Sequence, residues 1–133
     1  MASQPVQVKL IDTSAWVEYL RGPHHPIHFE VKSLVNGREA AWCGIVALEL
    51  ANFVSATQQP KLQKIHALAW MIETDTYIWR EACGLATAAR GVGVTSPLAD
   101  LVVSTCSKIY DLPILHKDDT DFARLKTVHS SLR

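Results

Sequence analysis

The 133-residue chain carries no excess of either charge, since 13 Lys and Arg balance 13 Asp and Glu. Global charge therefore gives no support for nucleic-acid binding, which would need a local basic patch. No apolar run approaches the roughly 18 residues of a membrane span. There are only three cysteines, Cys43, Cys83 and Cys106. Their spacing matches no zinc motif, and their apolar or small neighbours suggest buried thiols in a reducing cytosol. The opening Met1-Ala2-Ser3-Gln4-Pro5 is polar and does not read as a signal peptide. Gly91-Val92-Gly93 lacks the third glycine and the preceding strand of a dinucleotide fingerprint. No repeat, linker or low-complexity segment divides the chain, so a single domain over residues 1–133 is expected.

What the sequence does contain is enough apolar material for a core, at 48% apolar and 20% charged residues. Val6–Ile11 reads as a first strand, with Thr13 or Ser14 capping a helix over Ser14–Leu20 that stops at Arg21-Gly22-Pro23. Apolar spacing predicts further helices over His28–Asn36, Ile45–Thr57, Lys61–Ile72 and the later part of Thr76–Arg90. Ser96 and Pro97 predict the N-cap and first position of a helix running to Tyr110. Ala40–Cys43 and Pro113–His116 read as strands. Asp119–Lys126 reads as a last helix and Thr127–His129 as a last strand. Strands alternating with helices give an α/β domain with a central, mainly parallel sheet flanked by helices.

Four carboxylates stand out in that framework. Asp12 ends the apolar run Val8-Lys9-Leu10-Ile11. Glu49 is the only charged residue between Gly44 and Gln59, and Asp100 the only one between Gly91 and Ser107. Asp119 lies in Asp118-Asp119-Thr120-Asp121, directly after Leu112-Pro113-Ile114-Leu115. An ionised carboxylate in apolar surroundings costs several kcal/mol or more unless paired, protonated or metal-bound. Taken singly, a mid-helix Glu or a helix-start Asp is ordinarily a capping or ion-paired residue. Taken together, with no matching isolated Lys or Arg, the acids point to a cation. Asp12 ends its strand, Asp119 follows another, and parallel sheets build sites at those ends. Asp100 falls near the positive end of its helix. Glu49, with Ile45 at i−4 and Phe53 at i+4, is expected on an apolar helix face. Hard oxygen ligands without His or Cys suit Mg²⁺ or Mn²⁺ and the chemistry of phosphoryl transfer.

The motifs that carry these acids also resemble a known family. Ile11-Asp12-Thr13-Ser14-Ala15-Trp16 with Glu18-Tyr19-Leu20-Arg21-Gly22 is similar to the N-terminus of PIN-domain ribonucleases of the VapC toxin type. Ala47-Leu48-Glu49-Leu50, Pro97–Ser104 and Leu115–Phe122 match the other three motifs in order. The resemblance covers nearly the whole chain. It implies a PIN-like fold and a Mg²⁺-dependent endoribonuclease acting on structured RNA, either tRNA or ribosomal RNA. It also implies a homodimer and an inhibitory VapB-type antitoxin partner. By this resemblance Asp12, Glu49, Asp100 and Asp119 correspond to the metal-binding and catalytic acids, with Asp121 a further ligand. Thr13 and Ser14 would brace the first acid through their hydroxyls, and Asp118 would be solvated. The alternative is a PIN-like binding module that kept its acids and acts through a protein or RNA partner without cleaving. An aspartate-nucleophile phosphatase is disfavoured because Ser14, not an acid, stands two residues after Asp12.

Other signals carry less. His24, His25 and His28 flank Pro26 and read as a solvated loop, not a metal cluster. His116 neighbours the acids and is a candidate RNA contact. Trp16, Trp42, Trp70 and Trp79 read chiefly as core or interface residues, although tryptophan can stack on bases. Trp16, with Tyr19 and Leu20 on the first helix, is the expected lining of a groove for a partner helix. Lys61 and Lys64 read as solvated.

Overall fold

The computed structural model describes residues 7–117 and 120–131. Three-layer logic follows from four short strands, each too short to bury its faces without helices against them. The strands are β1 (Lys9–Ile11), β2 (Ala40–Cys43), β3 (Trp70–Ile72) and β4 (Ile114–Leu115). All pair in parallel, in the order β3-β2-β1-β4. The chain therefore builds outward from β1 through β2 to β3, then crosses to the other side of β1 for β4. The switch in direction leaves a crevice at the carboxyl ends of β1 and β4, where α/β sheets characteristically bind ligands.

Among the described residues six α-helices connect the strands, α1 (Thr13–Arg21), α2 (Pro26–Asn36), α3 (Gly44–Phe53), α4 (Gln59–Leu68), α5 (Thr76–Gly91) and α6 (Leu98–Tyr110), and α7 (Thr120–Ser131) follows β4. The main core gathers β1 and β2 with α1–α4 and the buried face of α6, including Leu10, Trp16, Trp42, Leu50 and Val103. A smaller cluster of Leu85, Ala89, Leu101, Leu125 and Val128 joins α5, α6 and α7. Gly22 ends α1 at φ 107°, a left-handed conformation that a side chain would strain. None of the described helices is long and apolar enough to cross a membrane.

Several local expectations are corrected. Val6 lies outside the described residues, and β1 starts at Lys9. The cap of α1 is Asp12 itself, whose side chain accepts from Ser14 N, so Thr13 and Ser14 fall inside the helix. The helix expected through Ile72 ends at Leu68, and Trp70–Ile72 form β3. Pro97 stays extended at ψ 146°, so α6 starts at Leu98 without a side-chain cap from Ser96. The strand expected over Thr127–His129 is part of α7, because Phe122, Leu125 and Val128 bury one helical stripe at i, i+3 and i+6. Cys43 and Cys106 are buried as expected, but Cys83 is exposed. Hydrogen bonding to Cys106 and burial both push the Cys43 thiol well above its ordinary range, while the hydrogen bond with Cys43 holds the Cys106 thiol below its own.

Candidate active site

Asp12 is fixed from both sides of the crevice. Its backbone N–H donates to Leu115 O at the end of β4 (2.9 Å), and its carbonyl accepts from Ala15 N and Trp16 N in the first turn of α1. The side chain is only 5% exposed. One carboxylate oxygen, Oδ2, accepts from Ser14 N (3.3 Å) and from Ser14 Oγ (2.9 Å). The other, Oδ1, is buried and has no hydrogen-bond partner among the described residues. A carboxylate oriented by one oxygen and left with an unsatisfied second one is costly unless something else pairs with it.

Glu49 reaches the same region from α3. Thr13 Oγ1 donates to Glu49 Oε1 at 2.6 Å. The helix face differs from the expected one: α3 buries Val46, Ala47 and Leu50, whereas Leu48 and Glu49 are exposed. Ile45 is half-buried and Phe53 is 40% exposed, so the stripe they define is a rim and not core. Glu49 is therefore a solvated carboxylate held by one hydroxyl, and desolvation does not single it out. Asp100 is half-buried in the first turn of α6, where the positive end of the helix favours a negative charge. Asp119 lies outside the described residues, as does Asp118. Asp121 falls in the first turn of α7, but its side chain is also outside the description. Among the described residues, no three His, Cys, Asp or Glu side chains gather as a metal cage.

Glu18 is a buried acid that the sequence reading left without a role. It is 5% exposed and accepts from Lys117 Nζ at 3.1 Å and Arg21 Nη1 at 3.2 Å. The hydrogen bond from Lys117 outweighs burial and holds its carboxyl below the usual range, with Lys117, Arg21 and His25 adding attraction. The available signal was its position as the sole acid of α1, three residues before Arg21.

The remaining candidates separate clearly. Trp16, Tyr19 and Leu20 are 0%, 1% and 5% exposed and lie in the core, so they line no partner groove. Trp16 packs edge-to-face on Trp42 with centroids 5.7 Å apart. Trp42 is also core, while Trp70 and Trp79 are about half exposed, at 53% and 47%. His25 caps α2 through Nδ1, and His28 is buried against Tyr19, so His28 is a core residue and not part of a solvated loop. Lys61 is also more than a solvated cation: its Nζ donates to Tyr19 O at 3.0 Å and sits 4.6 Å from the Tyr19 ring centroid. The His116 and Phe122 rings meet at a tilt of 35°, with centroids 5.1 Å apart. His116 lines a cavity of about 1040 Å³ beside β4, an edge strand among the described residues, with His129 and Lys126 but without Asp12, Glu49 or Asp100.

Comparison with known proteins gives a consistent picture. The sequence pattern of the PIN domain family matches residues 9–128. The chain is 31% identical over 114 residues to Ribonuclease VapC11 of Mycobacterium tuberculosis, an alignment covering 82% of this chain and 85% of that protein. VapC ribonuclease Mb1587 of Mycobacterium bovis matches to the same extent. Among solved structures, VapBC2 from Rickettsia felis bound to a promoter DNA fragment superposes with a TM-score of 0.74 at 16% identity, covering 89% of this chain and 92% of that one. FitAcB from Neisseria gonorrhoeae superposes with a TM-score of 0.66 at 16% identity, covering 90% and 94%.

Proposed function

The chain belongs to the PIN domain family, among the VapC ribonucleases, and from that premise we propose that it is a Mg²⁺-dependent endoribonuclease toxin that cuts structured RNA. The observation that carries the metal reading is Asp12 Oδ1, a buried carboxylate oxygen at the carboxyl end of β1 without a partner among the described residues. Hard oxygen donors of this kind fit Mg²⁺ or Mn²⁺ better than zinc. Asp12, Glu49, Asp100 and Asp119 would hold the ion, with Asp121 a further ligand. When bound, the ion supplies an activated water and neutralises charge building on the phosphate.

The protein's own residues do the positioning. Ser14 occupies Asp12 Oδ2 and so turns Oδ1 toward whatever ligand is present. Thr13 steadies Glu49, which is solvated and would otherwise sample several rotamers. Asp100 gains from the field of the α6 N-terminus.

The substrate we assign is a structured RNA, tRNA or ribosomal RNA, in keeping with the ribonuclease names of the relatives. The partner we assign is a VapB-type antitoxin that blocks the site of a homodimeric toxin, in keeping with the VapBC and FitAcB complexes sharing this fold. With Trp16 in the core, the exposed apolar side chains beside Glu49, Leu48 and Phe53 on α3, are the better seat for that partner.

The test is cleavage of structured RNA by the purified chain with Mg²⁺, Mn²⁺ or a chelator. Cleavage should require the metal and disappear in Asp12→Asn and Asp100→Asn. Asn is chosen at position 12 because it keeps the helix cap, which Ala would lose at a cost of about 1 kcal/mol. An Asp12→Asn protein that cuts as fast as the parent would refute the assignment.

A further inference from the structure

We propose that Glu18 and Lys117 are positioning residues for the acid site, forming with Ser14 a clamp that sets the orientation of Asp12. The inference rests on the metal-dependent reading above, because it assigns a purpose to the unsatisfied oxygen of Asp12.

The chain of contacts is continuous. Glu18 accepts from Lys117 Nζ at 3.1 Å. The backbone N–H of the same Lys117 donates to Ser14 Oγ at 3.0 Å. Ser14 Oγ in turn donates to Asp12 Oδ2 at 2.9 Å. Ser14 Oγ carries a single proton, and that proton is directed at Asp12 because the lone-pair side is engaged by the Lys117 N–H. Lys117 is thus held twice, once by its side chain and once by its backbone. It stands two residues after the last residue of β4 and two residues before Asp119 in the chain. The tether therefore ties the exit of β4 to α1 across the switch crevice, where one end of the connection is the first acid.

The burial pattern argues against a casual surface ion pair. The Glu18 side chain is only 7% exposed, whereas Lys117 and Arg21 are 42% and 54% exposed. A carboxylate is placed indoors and two cations lean over it from outside. Surface pairs seldom hold a geometry, but a buried carboxylate with two donors does, because releasing either leaves it poorly compensated. Carboxylates and hydroxyls that orient metal ligands typically change metal affinity or activity by about 10–100-fold when removed.

The experiment compares the full chain with Lys117→Met, Lys117→Arg, Glu18→Gln and Ser14→Ala. Three quantities are measured: Mn²⁺ affinity by calorimetry, RNA cleavage at saturating Mn²⁺, and melting temperature without metal. Lys117→Met should bind Mn²⁺ about tenfold or more weaker, and its metal-free melting temperature should also fall, because the buried Glu18 loses one of its two cations. Lys117→Arg should recover most of the affinity. Ser14→Ala and Glu18→Gln should shift affinity in the same direction as Lys117→Met. A purely structural role would lower the metal-free melting temperature but leave Mn²⁺ affinity at the parent value, and that unchanged affinity overturns the proposal. A parent chain that neither binds Mn²⁺ nor cuts RNA overturns the metal-dependent reading and the clamp together. A parent that does both while Lys117→Met equals it overturns the clamp alone.

Discussion

Thr13 Oγ1 donates to Glu49 Oε1 at 2.6 Å, while the next residue, Ser14, donates to Asp12 Oδ2 at 2.9 Å. Two consecutive hydroxyls on α1 thus serve two acids from different elements. The Thr13 contact is exposed, so its removal should cost little stability, within about 1 kcal/mol. Its effect should appear in cleavage, because no other side chain among the described residues holds Glu49. Thr13→Ala is expected to cut RNA about tenfold more slowly, and Thr13→Ser to stay near the parent. Initial rates and urea unfolding on the same preparations check both statements. Equal rates for parent and Thr13→Ala would remove Thr13 from the site.

Much of this architecture was legible in the residues. Asp12 at the end of Leu10-Ile11, followed by a helix, was readable because a strand-terminal acid interrupts an apolar run. The face of Glu49 was not readable, because α3 is apolar nearly all round. Ile45, Val46, Leu48, Leu50 and Phe53 leave helical periodicity no stripe to choose. Packing against the sheet and α1 decides the question in favour of Val46, Ala47 and Leu50. Strand β3 was hidden for a related reason: it is a three-residue edge strand whose Trp70 and Met71 stay half exposed, so it shows no alternation. The Glu18–Lys117 contact spans 99 positions in the chain, a pairing that no local pattern encodes.

Trp16 is wholly buried and meets both Trp42 and Tyr19 edge-on, at 5.7 and 6.1 Å between centroids. Trp16→Ala should therefore destabilise the fold by about 3–5 kcal/mol. Trp16→Phe keeps a ring in the cavity and also removes an indole N–H that is buried without a partner among the described residues, so it should cost less. Urea midpoints at unchanged slope measure both. If Trp16→Ala proved as stable as the parent while losing affinity for an antitoxin, Trp16 would belong to an interface after all.

His129 gives the fold a pH dependence of defined sign. Its Nε2 lies 2.9 Å from Ser104 Oγ, and its Nδ1 is buried without a partner among the described residues. Burial, reinforced by Lys108, lowers its pKa below the ordinary 6.5, and Glu81 opposes this only in part. The unfolded chain then takes up the proton at a higher pH than the folded chain does. Stability from this residue is complete above about 6.5 and is lost as pH falls through the lowered value. The melting temperature of the parent should drop between pH 7 and pH 5. His129→Gln can still hydrogen-bond Ser104 but cannot titrate, so its melting temperature should drop less over the same interval. The other histidines remain in both proteins, so the difference between the two curves isolates His129. Parallel curves would mean that His129 carries no such linkage.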